Sequence, residues 1–295
     1  MKITDLEISN FRAIKNLKLN DLSDMVVIAG PNGCGKSTVF DSIRLIKSSY
    51  GGYQPNEWQS WFSEFQINLD LQHNELKDIF RDRSKPVEIT MSISLSDEEK
   101  KFIQFNLQEI LTPIISNQVM PDGMYSQYRH GQGIASQIEQ YGGEIEKRTK
   151  AAAKNIKSIL KNNKFEGRLI IDLNSTRQLT VKKSPVMQMV FGVFIPDKIG
   201  IIDFHSPQRS YNREQIGGIN LNIESTEQQE SQHALYNYAN KYSNIKSQMA
   251  SAYVRDLLAK ESGTPLGPRP LLETLKELFI TFFPGKTFDG PRPTN

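Results

Sequence analysis

The stretch Met25–Arg44 reads MVVIAGPNGCGKSTVFDSIR, and it decides the fold that the sequence predicts. Its first residues, 25–29, are apolar or small and stop at a glycine, which is typical of a buried strand that ends at a turn. Residues Gly30–Ser37 then match G-x-x-x-x-G-K-[ST], the phosphate-binding loop. Apolar residues continue at helical spacing, so the strand, loop and helix that this motif requires are all present.

The residue types of this loop fit a bound triphosphate. Glycines let the backbone curl so that successive N–H groups point inward, and the new helix adds free amides and the positive end of its dipole. Lys36 can reach the β and γ phosphates, Ser37 can offer its hydroxyl to Mg²⁺, and Thr38 can add a phosphate contact. The alternative is a glycine-rich turn without a ligand.

The composition of the chain limits the classes of protein to which it can belong. With 295 residues and 38% hydrophobic content, the chain can hold two lobes and a sizeable core, and a net charge of +3 does not indicate a nucleic-acid protein. The single cysteine, Cys34, excludes an internal disulfide framework and fits a reducing cytosol. No run approaches the roughly 18 apolar residues of a membrane span, and no secretion signal opens the chain. We expect a cytoplasmic protein without a membrane partner.

Two alternating runs precede the loop and predict paired strands. Lys2–Ser9 is the first, the second extends from Ile14 to Leu19, and Asn10-Phe11-Arg12 separates them. ITDLEISNFRAIKNLKL followed by VVIAGPNGCGKSTVFDSIR resembles the N-terminus of RecF/SMC-type ATPases of the ABC superclass. That group includes the OLD family and related AAA-labelled defence ATPases. The two motifs together are specific for the superfamily and unspecific for any one member.

The resemblance implies an α/β P-loop NTPase, namely the N-terminal half of an ABC-type ATPase head with an antiparallel β subdomain and a helical insertion. Such heads bind ATP and Mg²⁺, and two heads sandwich two nucleotides, which implies a homodimer acting in DNA repair or antiphage defence. Arg12 would contact a nucleotide phosphate, with a solvated turn residue as the alternative, and Asn32 would lie near the dimer face. The remaining nucleotide contacts implied by similarity are Gly30, Gly33, Cys34, Gly35, Lys36, Ser37 and Thr38.

A glutamine further along the chain is the candidate catalytic residue. Residues Ile199–Phe204 read as an apolar strand, and Gln208 follows shortly after it. In the family that the chain resembles, a glutamine in this position helps to ligate Mg²⁺ and positions the attacking water. Gln208 is therefore assigned to the metal and to catalysis, with an ordinary polar loop as the alternative.

Other parts of a hydrolytic head are not found in the sequence. There is no signature resembling L-S-x-G-[EQ], and the two predicted strands that end in aspartate, at Asp172 and Asp203, are not followed by glutamate. We therefore expect the first half of a head, with little or no hydrolysis by itself. A downstream domain or partner protein, possibly a nuclease, would complete it. The predicted regions are a β subdomain with the loop (1–95), a helical insertion (96–165), strands leading to Gln208 (166–212) and a helical region (213–295).

One predicted helix of the insertion carries a stripe of lysines. Residues 120–143 read as a loop and 144–164 as an amphipathic helix. Like charges at this spacing repel one another, and a polyanion would relieve that cost, so DNA is a possible partner and a solvated face the alternative. A different class remains open as well, a nucleotide-gated protein-binding module that neither hydrolyses ATP nor contacts DNA. The stripe consists of Lys147, Lys150, Lys154, Lys157, Lys161 and Lys164.

Overall fold

The computed structural model describes residues 1–54, 57–67, 75–119, 135–205, 231–232, 234–235, 241, 245–263 and 271–287. The chain divides into two compact units, Met1–Ile202 and Asp203–Asn295. Gln208 lies outside the described residues, so its predicted role stays a prediction.

An antiparallel sheet of five described strands forms the base of the first unit, in the order β2-β1-β3-β4-β5. The apolar members of β3 are completely buried, because alternate residues of a strand point to the same face. β1 lies between β2 and β3, with Leu6 opposite Leu19 on one side and Met91 on the other. The predicted pair of strands around Asn10 is confirmed. The strands are β1 (Lys2–Phe11), β2 (Ile14–Leu19), β3 (Val87–Ser94), β4 (Phe165–Ile171) and β5 (Leu179–Val181).

Helices cover this sheet and carry the loop. The first helix packs against β1, β3 and β4, and at its end the Tyr50 hydroxyl donates to Lys182 O at 2.5 Å and accepts from Arg168 N at 2.8 Å. The third and fourth helices pack against each other and lie between β3 and β4 in the chain, where the sequence predicts a helical insertion. The helices are α1 (Lys36–Tyr50), α2 (Glu57–Glu64), α3 (Asp97–Val119), α4 (Ala135–Ile159) and α5 (Pro185–Gly192), with a 3-10 helix at Glu75–Ile79.

The start of α3 shows how a local pattern fixes a helix end. Ser96 Oγ accepts from Glu99 N at 3.2 Å, while Glu99 Oε2 accepts from Ser96 N at 2.8 Å. These reciprocal bonds form a capping box, which satisfies backbone donors that the helix leaves open. The Glu99 carboxylate also accepts from Gly200 N at 2.7 Å, so the same residue ties α3 to the segment that follows α5.

The strand predicted at residues 25–29 is wrong. The segment forms no strand and is largely exposed, with 81% of Met25 and 82% of Val27 open to solvent. A strand requires a hydrogen-bonded neighbour, and within the described parts of the chain no strand pairs with this segment. Apolar composition alone therefore misled the prediction.

Two further boundaries differ from the sequence prediction. Ile199–Phe204 forms no strand either, although Ile199 is buried. The fourth helix begins at Ala135, inside the predicted loop, and ends at Ile159, before the last lysines of the stripe. Gly142 and Gly143 each weaken a helix by about 1 kcal/mol, a cost that the cooperative hydrogen bonding of a 25-residue helix outweighs.

The second unit contains α6 (Ile245–Ser262) and α7 (Leu271–Phe282), which pack against each other. Both helices lie in the region 213–295, where the sequence predicts helical structure. Lys241 forms an ion pair with Asp203 and donates to Phe204 O at 2.8 Å. None of the described helices, in either unit, has both the length and the apolarity that a membrane span needs.

Candidate functional site

The loop at residues 30–35 curls immediately before α1. Gly33 has a φ of 80° and Gly35 a φ of 100°, and Gly35 is the left-handed residue that precedes the helix. Residues with a Cβ adopt such angles at a cost, so glycine is favoured at both positions. A Cβ added at Gly30 would lie 2.7 Å from Cys34 Sγ. A side chain at the first position of the loop would therefore require the exposed Cys34 thiol to move.

The side chain of Lys36 folds back over this loop. Its Nζ donates to the carbonyl oxygens of Gly30 and Pro31, both at 2.8 Å, and lies 4.0 Å from Cys34 Sγ. Within the described part of the chain, no carboxylate forms an ion pair with this ammonium, and the first turn of α1 holds no acidic residue. An unneutralised cation beside a helix N-terminus is the electrostatic setting that binds a phosphate.

The two hydroxyl residues that follow are placed differently. Ser37 is exposed in the first turn of α1, whereas Thr38 is buried with 8% of its surface exposed. Ser37 is therefore open to a ligand, whereas the phosphate contact of Thr38 stays a prediction. Mg²⁺ needs few protein ligands when phosphates and waters supply the rest, so one accessible hydroxyl beside a phosphate cradle fits that ion. The described residues contain no cluster of three or more His, Cys, Asp or Glu side chains that could hold a metal alone.

The turn between β1 and β2 lies against the loop. The Asn10 side-chain amide donates to Asp82 O at 2.8 Å and to Lys85 O at 2.7 Å, and its Oδ1 accepts from Asp82 N at 2.7 Å. These bonds hold Asn10 at a positive φ of 58°. Beyond the turn, Ala13 Cβ lies 3.5 Å from the Cβ position of Gly35. The turn is thereby fixed next to the start of α1.

Arg12 is held beside this helix by two contacts. Its Nη1 lies 3.1 Å from Asp41 Oδ2, and its guanidinium lies 4.3 Å from the centroid of the Phe65 ring. Its backbone has a φ of 49°, and its N–H donates to Ile79 O at 2.8 Å. The side chain remains one third exposed. Arg12 is therefore a positioned cation near the loop and not a freely solvated turn residue.

A buried network of charges on α1 was missed by the sequence analysis. Arg44 is 1% exposed and forms an ion pair with Glu64, with one N···O distance of 3.1 Å. Lys47 is fully buried against Glu57, and its Nζ lies 3.3 Å from the centroid of the Tyr53 ring. The available signal was the spacing of Asp41, Arg44 and Lys47 at three-residue intervals, which places them on one face of a helix. These pairs attach α2 to the helix that follows the loop.

Burial changes the ionisation of this network. It lowers the pKa of Lys47 to about 8, although the charge of Glu57 opposes the change. It also raises the pKa of Asp41 against the opposing charges of Arg44 and Arg12. Because the folded pKa of Lys47 lies below its ordinary value of 10.5, the unfolded chain binds more protons between those values. The free energy of unfolding contributed by this group therefore rises as the pH increases from about 8 to 10.5.

The predicted lysine stripe is only partly helical. Four of its members are exposed on α4, and Lys161 and Lys164 are exposed in the turn that leads to β4. Lys150 Nζ lies 2.5 Å from Glu146 Oε1, and Lys164 Nζ lies 2.6 Å from Asp5 Oδ2. Two of the six lysines are thus partly neutralised.

Two comparisons with known proteins bear on this site. A family model for the AAA ATPase domain matches residues 1–280. An uncharacterized protein of Methanocaldococcus jannaschii is 28% identical over 103 residues, which cover 32% of this chain and 43% of that protein. The chain therefore spans less than half the length of this curated relative.

Proposed function

The chain belongs to the AAA ATPase domain family, and from that premise we propose that it binds Mg-ATP as part of a RecF/SMC/OLD-like ATPase head. Membership implies nucleotide binding and, usually, Mg²⁺. The observation that supports the location is the glycine-shaped loop beneath the Lys36 ammonium, at the N-terminus of α1. In this proposal Lys36 binds the β and γ phosphates, and the backbone amides of the loop donate to the same anion.

Other residues of the chain supply the metal site and the subunit contact. Ser37 gives its hydroxyl to Mg²⁺, and Gln208 assists that ion and orients the attacking water. Asn32 lies exposed in the loop, where a second protomer would close over the nucleotide. We propose that this closure couples nucleotide binding to DNA repair or antiphage defence.

The lysine stripe is the proposed DNA contact. From residue 147 to residue 165 the chain contains no Asp or Glu, so this region is basic without interruption. Counterion release from DNA favours such a surface at low salt. The Lys150 and Lys164 ion pairs reduce the number of available cations, which assigns the contact mainly to Lys147, Lys154, Lys157 and Lys161.

The nucleotide proposal predicts that the full chain associates when it binds ATP. We expect isothermal titration calorimetry to record heat with ATP and Mg²⁺, and sedimentation velocity to show a monomer becoming a dimer with a slowly hydrolysed ATP analogue. ADP is the matched ligand, since it lacks the γ phosphate that Lys36 would hold. No heat with either nucleotide would overturn the site, while binding without association would overturn only the head dimer.

Arg12 provides a second prediction about the same site. Arg12→Ala should weaken ATP binding roughly 10-fold to 150-fold, because one charge-assisted hydrogen bond is worth about 1.5–3 kcal/mol. The buried Asp41 carboxylate keeps its second ion pair, with Arg44 at 3.4 Å, so the melting temperature should fall only modestly. Arg81→Ala is the matched control, since Arg81 is an exposed arginine that donates to Ala13 O of the same turn at 2.8 Å. Equal ATP affinity of Arg12→Ala and the parent in calorimetry would remove Arg12 from the binding site.

A further inference from the structure

One exposed aromatic ring stands apart from the other apolar residues of the first unit. Phe105 on α3 is 87% exposed. The other large exposed hydrophobic residues described in that unit are Met25, Val26, Val27 and Phe40, and none of them lies on α3 or α4. Because Phe105 has no exposed apolar neighbour on these helices, it does not form the contiguous apolar patch that marks a protein-docking surface.

The neighbours of Phe105 are cationic and amide side chains. Phe105, Gln104 and Lys157 line an open cavity of about 380 Å³ between α3 and α4. Nearby, Lys100 Nζ donates to Asn163 Oδ1 at 2.9 Å. These two contacts set an antiparallel register, in which the start of α3 lies beside the end of α4. We call this surface the α3–α4 face.

The same register adds further cations to the α3–α4 face. Lys101, Gln104 and Phe105 are exposed and recur at i, i+3 and i+4, the spacing of one helix face. Asn106, with a φ of −110° and a ψ of 18°, then interrupts the regular helix. Lys161 follows Lys157 by four residues and is also exposed.

Two exposed glutamates accompany these residues on α3. Glu98 precedes Lys101 by three residues and Glu109 follows Phe105 by four, so both lie beside the same helix face. Within the described residues, Lys101, Lys157 and Lys161 form no ion pair, unlike Lys150 and Lys164 of the stripe. The face therefore keeps a positive balance, with these three lysines against two glutamates, beside an accessible ring.

We propose that the α3–α4 face binds single-stranded nucleic acid, with a base stacked on Phe105 and phosphates beside Lys157, Lys161 and Lys101. A ring stacks readily on the open face of an unpaired base, whereas in a duplex it must first separate stacked base pairs. Cations alone would accept duplex and single strand alike. Gln104 adds a donor and an acceptor for a base edge. The inference rests on the proposed DNA contact of the stripe, and it specifies which form of nucleic acid that contact takes.

The test measures the affinity of the full chain for fluorescein-labelled oligothymidylate and for a duplex of equal length, by anisotropy at low salt. An oligomer of about 20 nucleotides exceeds the roughly 4–16 nucleotides that a single-strand binding fold covers. Phe105→Ala and Phe105→Leu should each weaken single-strand binding roughly 5-fold to 150-fold, the range for loss of one stacked base. Phe105→Tyr should retain parental affinity, because it keeps a ring.

Substitutions of lysine test the phosphate contacts separately. Lys157→Gln should weaken binding and reduce the slope of log affinity against log salt by about 0.7, the contribution of one phosphate contact on a single strand. Lys183→Gln is the matched control, since Lys183 is exposed outside the α3–α4 face and should have no effect.

Three other results would each contradict one part of the proposal. If Phe105→Leu binds as well as the parent, the site recognises apolar area, as a protein partner would, and stacking is wrong. If all Phe105 variants bind normally while Lys157→Gln does not, the stripe contacts DNA but the inference about single strands fails. If the parent binds neither oligomer, both the inference and the DNA part of the proposed function fail, and calorimetry with ATP still decides the nucleotide site.

Discussion

Lys36→Ala should reduce the affinity for ATP roughly 100-fold or more, because charge-assisted bonds to two phosphates are lost together. The Lys36 ammonium is already positioned over the loop by the carbonyls of Gly30 and Pro31, so little ordering is required when a phosphate arrives. Calorimetry with Mg-ATP on the full chain measures the loss.

Two other lysine substitutions test whether the loss of ATP affinity is specific to the Lys36 ammonium. Lys36→Arg keeps the charge but replaces a compact ammonium with a wider planar group, and it should also bind ATP poorly. Lys15→Ala removes an exposed lysine from β2 and should leave binding unchanged. If Lys36→Ala and Lys15→Ala bind ATP equally well, the loop at residues 30–38 does not hold the phosphates.

Glu57→Gln should lower the free energy of unfolding by about 3–5 kcal/mol, since it leaves a buried lysine without its counter-charge. Lys47 is fully buried, and its partner carboxylate also accepts from Tyr53 N at 2.9 Å and from Ser48 Oγ at 3.3 Å. A glutamine amide has only one oxygen, so its NH₂ group must face one of these donors. Chemical denaturation followed by circular dichroism measures the change.

The matched control is an exposed pair of the same chemistry. Lys182 and Glu166 lie 3.0 Å apart with both side chains about half exposed, so Glu166→Gln should cost less than about 1 kcal/mol. The double variant Lys47→Met with Glu57→Gln should recover much of the lost stability, because it removes the buried charge itself. Equal costs for the two glutamine substitutions would show that burial does not govern the Lys47–Glu57 pair.

Local patterns predicted much of the fold. The β1–β2 pair and α1 depend on residues close together in the chain, and each was predicted from alternation or helical spacing. Where an element depended on a distant partner, the same reasoning failed. The apolar segments at 25–29 and 199–204 resemble strands, but a strand forms only beside another strand.

The candidate site was likewise predicted only in part. Its loop was predicted from a contiguous motif, and the geometry of Gly33, Gly35 and Lys36 agrees with it. The Asp41 and Phe65 contacts of Arg12 were not predicted, because they join three separate segments. The buried charges of α1 were missed because polar residues ordinarily indicate a solvated surface. Pairing with α2 is what makes their burial possible.

The ion pairs that attach α2 to α1 should limit which substitutions the chain accepts during evolution. Lys47 with Glu57, and Arg44 with Glu64, are each tolerable only as a pair, so loss of one member is harmful until the other has changed. Related sequences should therefore carry both members of a pair or a neutral, apolar substitute for both. Sequences that carry only one member of a pair should be rare. Substitutions at the paired positions of α1 and α2 should therefore occur together.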